Sequence, residues 1–163
     1  MKATEVLKNA LASTQSVLAT YLSDLSDADL LVRPVPEANH LAWQLGHLIN
    51  AEVMLGSPLP GVKYPSLPAG FGEKHTKETS KQTDTKGYLT KAGYLDLFSR
   101  VRAATIEAVA TMSDADLDKP YTGPVSKFAP TLGALVVLVA NHTLMHGGQA
   151  VVLRRKLGKP ILM

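Results

Sequence analysis

The sequence predicts an all-α protein, a four-helix bundle with a long crossover between its second and third helices. Apolar residues recur at helical spacing in four segments, no convincing alternating strand pattern is present, and a long polar link separates the second segment from the third. With 163 residues, of which 45% are hydrophobic, the chain is expected to form one domain, residues 1–163, with a substantial core.

The apolar pattern places the four helices within definite segments of the chain. In the first segment Leu7, Leu11 and Leu18 recur at spacings of four and seven residues, close to whole helical turns. We expect Asn39 to cap the second helix and Thr131 to cap the fourth. The predicted helices cover about residues 3–24, 40–55, 88–111 and 131–157.

A short repeat and a long link organise the rest of the chain. The motif SDADL occurs at Ser26–Leu30 and again at Ser113–Leu117, each time just after a predicted helix. It indicates either two similar helix-capping turns or two related helical hairpins. The link at residues 56–87 is longer than is usual in a compact domain, so we expect a crossover, which could also cover one end of the bundle as a lid.

Composition excludes several classes of function. The net charge of +3 comes without a dense lysine or arginine block, so nucleic-acid binding is not expected. The longest apolar run, Leu132 to Ala140, is too short to cross a bilayer, and the N-terminus is unlike a signal peptide. We therefore expect a cytoplasmic protein without a membrane partner. Because the chain has no cysteine, a metal site must use nitrogen and oxygen ligands.

Two histidines interrupt the apolar fourth helix, in the stretch HTLMH. His142 and His146 are four residues apart, so they project side by side, with Cβ atoms roughly 5–6 Å apart. Such a pair can reach one metal ion, or it can be a pair of hydrogen-bonded core histidines. The residue after the first histidine is Thr143, where the zinc-protease motif requires a glutamate as general base, so that peptidase mechanism is not expected.

A catalytic metal usually has three protein ligands, and the third candidate is His47 in the second helix. His40 lies seven residues earlier, roughly 10 Å along the helix axis, and is interpreted as a helix-start residue. His75 falls in the polar link and is interpreted as a solvated surface histidine.

Other residues near these histidines have less certain roles. Gln149 lies one turn beyond the second histidine of the pair and is a candidate to support a ligand or contact a substrate. Trp43 and Met54 could line a pocket, or they could simply pack in the core. Glu52 is interpreted as a surface or interface charge, and the sequence assigns no catalytic residue.

The end of the fourth helix carries two glycines and two arginines. Gly147 and Gly148 are expected to permit close helix packing or to leave open space beside the metal. Arg154 and Arg155 are interpreted as solvated charges, with a neighbouring partner or an anionic substrate as the alternatives.

Three stretches resemble motifs of the DinB-like family, between Leu25 and Pro160. They are HTLMHGGQAVVLRRKLGKP in the last helix, LAWQLGHLINAE in the second, and the approach LSDADLLVRPVPEANH. The resemblance implies a four-helix bundle with a long crossover, and a homodimer. It also implies a divalent metal, zinc or nickel, held by three histidines that correspond to His47, His142 and His146.

The function that the resemblance implies is less specific. Some relatives are enzymes that use a low-molecular-weight thiol, so we expect a thiol-dependent S-transferase or a hydrolase acting on a small molecule. Two alternatives stay open: a non-catalytic bundle with a structural metal, and a metal-free interaction module. The sequence identifies neither the substrate nor the physiological metal, since imidazole binds zinc, nickel, iron and copper.

Overall fold

A computed structural model describes residues 1–162, and this part of the chain is helical, with one isolated bridge between Pro120 and Thr131 and no strand. The all-α fold class is confirmed. A 3-10 turn spans Glu78–Lys81. The α-helices, in chain order, are α1 (Ala3–Leu22), α2 (Asp27–Leu30), α3 (Leu41–Gly56), α4 (Phe71–Lys74), α5 (Lys91–Thr111), α6 (Asp114–Leu117) and α7 (Leu132–Lys156).

The four long helices, α1, α3, α5 and α7, begin and end within three residues of the predicted segments. Helix α1 packs against α5 and α7, and α3 packs against the same two helices. The four long helices therefore share one interior, and α3 lies directly beside α7.

The predicted N-cap is correct for α7 and wrong for α3. Thr131 caps α7, since its hydroxyl accepts the backbone N–H three residues later, as predicted. The cap of α3 is not Asn39 but His40, whose Nδ1 accepts the backbone N–H of Trp43 at 3.1 Å. The His40 ring is buried edge-on against Tyr88, which holds it in the capping position. Its interpretation as a helix-start residue is confirmed.

Both copies of SDADL form the same structure, a one-turn helix that begins with a capping box. Ser26 and Asp29 exchange hydrogen bonds with each other's backbone N–H at the start of α2. Ser113 and Asp116 repeat this arrangement at the start of α6. The motif is thus explained by local capping chemistry.

Two apolar clusters fill the interior, one towards each end of the long helices. Between them each long helix contributes polar side chains, all of them buried except His47, which is half-buried. These side chains form what we call the polar layer: Thr14, His47, Glu52, Arg102, Thr105, Thr143 and His146. The candidate site belongs to this layer.

The link between α3 and α5 is fastened to both helices by His75, which is only 2% exposed. The prediction of a solvated His75 is wrong. Its Nδ1 lies 2.7 Å from the Phe71 carbonyl oxygen and its Nε2 lies 2.8 Å from the Tyr94 hydroxyl. The ring rests on Gly46, where an added Cβ would lie 2.1 Å from His75 Cδ2. Glycine is therefore required at this point of α3.

Helix α7 is long and apolar enough to cross a bilayer by length and composition alone. The uninterrupted apolar run, Leu132 to Ala140, is too short to cross a bilayer, as expected, but the whole helix is not. Core helices meet the same criterion, and one side of α7 packs against α1 and α3.

Candidate metal centre

His47, His142 and His146 come together where α3 packs against α7. One ring nitrogen of each histidine lies within 4.8 Å of those of the other two. The Nε2 atoms of His142 and His146 are 3.2 Å apart, and both rings meet the His47 ring edge-on. The i, i+4 spacing on α7 and the packing of α3 bring the three predicted residues into one cluster.

Gln44 orients the imidazole of His146. Its Nε2 donates to the Asn39 carbonyl oxygen at 2.7 Å, so Oε1 is the atom that faces His146 Nδ1, at 3.0 Å. An amide oxygen only accepts, and therefore His146 Nδ1 carries the proton. Its Nε2 keeps a free lone pair directed at the centre of the cluster. This support from Gln44 was not predicted.

Trp43 fixes the third imidazole by stacking on it. The rings of Trp43 and His47 are nearly parallel, 8° apart, with centroids separated by 4.9 Å. The indole N–H donates to the Thr76 carbonyl oxygen and the Thr79 hydroxyl at 3.2 and 3.3 Å. Trp43 is buried, so it packs in the core and also connects His47 to the link.

Burial keeps the three histidines neutral. It lowers the pKa of His142 to about 4 and that of His146 to about 3, and the neighbouring imidazoles lower both in the same direction. Burial also lowers the pKa of His47, although a contact with the backbone of His75 raises it. Neutral imidazole is the form that binds a metal ion, so the site needs no deprotonation at neutral pH.

Next to the histidines the polar layer contains a buried ion pair, and the prediction of Glu52 as a surface or interface charge is wrong. The Arg102 Nε and Nη2 atoms donate to the Glu52 carboxylate at 2.8–3.1 Å, and Thr105 donates to it at 2.7 Å. Arg102 also donates to Thr143 at 2.8 Å and to the Leu11 carbonyl oxygen at 2.6 Å. Glu52 is thus held by hydrogen bonds and is not free to act as a base.

The remaining predicted neighbours have different positions. Gln149 is exposed and lines a cavity of about 360 Å³ together with Gln44. The Gln149 amide raises the pKa of His146, against the larger lowering by burial. Arg154 is fully buried and pairs with Asp24 at 2.5 Å, so its interpretation as a solvated charge is wrong. Arg155 is exposed, as expected.

The glycine pair after His146 does not serve close packing. A Cβ added at Gly147 would lie 4.0 Å from Tyr21 Cδ2, an ordinary contact, and one added at Gly148 would meet nothing within 4 Å. Gly148 is exposed. Close packing requires glycine in α3 instead, at Gly46.

Two cavities open beside His47. One, of about 470 Å³, extends to the link and contains Asn50 and Lys77 in its wall. The other, of about 270 Å³, is lined by apolar side chains and His142. Both share Met54, which is 58% exposed. His47 and His142 are thus accessible to a small molecule, whereas His146 is 6% exposed and lines neither cavity.

The cluster fits a divalent ion. Two imidazole nitrogens on a tetrahedral zinc ion, each at 2.0–2.1 Å, are about 3.3 Å apart, and the observed separation of the His142 and His146 Nε2 atoms is 3.2 Å. For the widest ligand pair, at 4.8 Å, closure requires movement of about 1.5 Å. Three neutral nitrogen donors suit a divalent transition-metal ion.

Comparison with known proteins agrees with this fold. The family model of the DinB superfamily matches residues 10–150. The structure is similar to the crystal structure of a conserved protein of locus from Enterococcus faecalis, with a TM-score of 0.73 and 19% identity over 98% of this chain and 99% of that one. That likeness concerns the fold alone. Among curated proteins none matches significantly. Since the family model spans most of the sequence, the chain belongs to the DinB superfamily.

Proposed function

We propose that this protein is a metal-dependent enzyme acting on a small molecule, with His47, His142 and His146 as the ligands of a divalent ion. The observation that carries the proposal is the convergence of three imidazole nitrogens within 4.8 Å of one another, beside open space: His47 lines two cavities and His142 lines one of them. A structural zinc site usually has four protein ligands in a closed shell, whereas three ligands beside open space are typical of a catalytic site.

The residues of the chain would prepare this site before an ion arrives. Gln44 keeps the His146 lone pair directed inward, and Trp43 holds the His47 ring in place. A divalent ion bound there supplies Lewis acidity, which lowers the pKa of a water or thiol ligand. Because Glu52 and Thr143 are both engaged by Arg102, neither supplies the general base of a zinc peptidase.

We propose two reaction types, thiol-dependent S-transfer and hydrolysis. Since the chain has no cysteine, a nucleophilic thiol has to come from a low-molecular-weight cofactor. The apolar cavity beside His142 supports a second reactant with a hydrocarbon part. A structural metal and a metal-free interaction module are the competing functions, and the open cavities at His47 and His142 favour an enzyme over both.

Elemental analysis of untagged protein tests the metal site. We expect about one zinc or nickel ion per chain and its loss in His142→Ala. Metal-loaded protein should then turn over an electrophile with a thiol, or an ester, in a manner that depends on His47. Bound metal without any such turnover, together with a large fall in melting temperature on chelation, would support a structural metal. Protein without metal would support the interaction module.

We further propose that the protein is a homodimer. Three apolar side chains of α7, Val137, Leu144 and Val152, are 44–47% exposed, and their spacings of seven and eight residues place them on one helix face. Such a face supports self-association. Analytical ultracentrifugation of the wild type and of Leu144→Glu tests it: a dimer that the substitution converts to monomer is the expected result.

A further inference from the structure

The two cavities beside His47 share part of their wall. His47, Ala51 and Met54 line both of them. Met54 is 58% exposed, and its flexible unbranched side chain stands where the cavities meet. The cavities are therefore neighbours, and we call them the link lobe (about 470 Å³) and the apolar lobe (about 270 Å³). Both volumes are typical of parts of a small-molecule site.

The link lobe has positive charge without a compensating acid in its wall. Lys77 is its charged lining residue, and in the described part of the chain the Lys77 ammonium takes part in none of the ion pairs. The neighbouring Glu78 does not line the lobe; its pKa is lowered first by bonds to its own backbone N–H and to Thr76, and least by the charge of Lys77. Lys77 is thus available to a ligand.

Asn50 supplies a second donor to the same lobe. One N–H of its side-chain amide is used in a hydrogen bond to the Gly72 carbonyl oxygen at 3.1 Å, which leaves the other N–H for a ligand. One ammonium and one amide N–H match a single carboxylate better than a dianion, because only one full positive charge is present.

The apolar lobe has a different chemistry. Apart from the two histidines its wall is entirely apolar, and it includes the Phe128 ring, which is 83% exposed. A large aromatic side chain exposed to this extent at a cavity rim is typical of a binding surface. This lobe suits an aryl or branched alkyl group.

We propose that the two lobes form one binding site for a small amphipathic monocarboxylate. Its carboxylate binds Lys77 and Asn50 in the link lobe, and its hydrocarbon part passes His47 and lies against Phe128 in the apolar lobe. The inference rests on the proposed function for the reaction that follows binding, but the recognition itself uses side chains of the chain and not the metal.

Calorimetric titration with 4-phenylbutyrate and its neutral amide, 4-phenylbutanamide, tests the proposal in metal-free and zinc-loaded protein. We expect the acid to bind about five- to tenfold more tightly than the amide in both forms. Lys77→Met should remove this preference. Lys81→Met, which removes the same charge four residues along the same exposed segment, should leave it unchanged. Phe128→Ala should weaken binding of the acid and of the amide equally. Val6→Ala, at an exposed position outside both lobes, should weaken binding of neither.

The outcomes separate this inference from the metal site. Equal affinity for acid and amide in the wild type, or equal effects of Lys77→Met and Lys81→Met, would overturn the inference. An acid preference that appears only with zinc and survives Lys77→Met would also overturn it, because the metal would then bind the carboxylate. A protein that binds no zinc but keeps the Lys77-dependent preference would contradict the proposed function and leave this inference supported.

Discussion

Gln44 Oε1 lies 3.0 Å from His146 Nδ1, although the two residues are 102 positions apart in the sequence. The Asn39 carbonyl oxygen holds the amide nitrogen of Gln44, so the oxygen has to face the imidazole. This single contact sets the tautomer of His146 and the direction of its free lone pair.

Gln44→Ala is expected to weaken metal binding. Without the acceptor, the His146 ring can rotate and its proton can move to Nε2, the atom that has to bind the ion. Loss of such support typically costs 10–100-fold in metal affinity. Competition titration with a chromogenic chelator measures the dissociation constant.

Two further variants serve as controls for this prediction. Gln44→Glu keeps an acceptor at Oε1 and should lose much less affinity than the alanine variant. Gln149→Ala removes an exposed amide near the same imidazole and should change the affinity less than about threefold. An effect of Gln149→Ala as large as that of Gln44→Ala would contradict the orienting role of Gln44.

Metal affinity should depend weakly on pH above pH 5.5. The pKa values of about 4 and 3 for His142 and His146 mean that protons compete with the ion at these residues only in more acidic solution. Three histidines with ordinary pKa values near 6.5 would lose about a thousandfold in affinity between pH 7.5 and 5.5. We expect a loss below about tenfold in chelator titrations over this range, and a loss near a thousandfold would contradict the preformed neutral site.

Replacement by alanine should lower the free energy of unfolding at Gly46 and raise it at Gly148. Gly46→Ala places a Cβ 2.1 Å from the buried His75 ring, and such overpacking typically lowers the free energy of unfolding by about 1–3 kcal/mol. Gly148→Ala introduces a methyl group into open space within α7 and should raise it by up to about 1 kcal/mol. Urea denaturation measures both, and a stabilised Gly46→Ala variant would refute the close approach of the link.

Removal of one charge of the buried ion pair should lower the free energy of unfolding strongly, and removal of both charges should lower it much less. Arg102→Met leaves the Glu52 carboxylate buried without its cation, which typically lowers the free energy of unfolding by about 3–5 kcal/mol. The double variant Arg102→Met with Glu52→Gln removes both charges and should recover a large part of this loss. Guanidinium denaturation measures the free energy of unfolding of the two variants. An equal decrease in both would show that the Glu52 carboxylate does not depend on Arg102 for its stability.

The positions of the helices could be predicted because the signals are local. Periodic leucines, the Thr131 cap and the repeated SDADL capping boxes act over a few residues, so each is visible in a short window of sequence. The burial of His75 has no such local signal. Its neighbours along the chain are polar, and its place depends on the missing Cβ at Gly46 and on the Tyr94 hydroxyl.

At the site, residue types and spacing indicated the three histidines but not what surrounds them. Gln44 and Gln149 each lie three residues from one of these histidines, and only the packing of α3 on α7 decides which amide faces an imidazole. Glu52 likewise looks solvated in isolation, because its partner Arg102 is 50 residues away on another helix. Long-range pairing of this kind leaves no pattern in a single sequence.

Because the site combines side chains of α3 and α7, it cannot form at the start of synthesis on the ribosome. His47 is made first, and its companions His142 and His146 follow much later in the chain, so a growing chain cannot assemble the cluster until α7 has left the exit tunnel. Acquisition of an ion by the three imidazoles would therefore have to follow the docking of α7 on α3, and would mark chains in which that contact has formed.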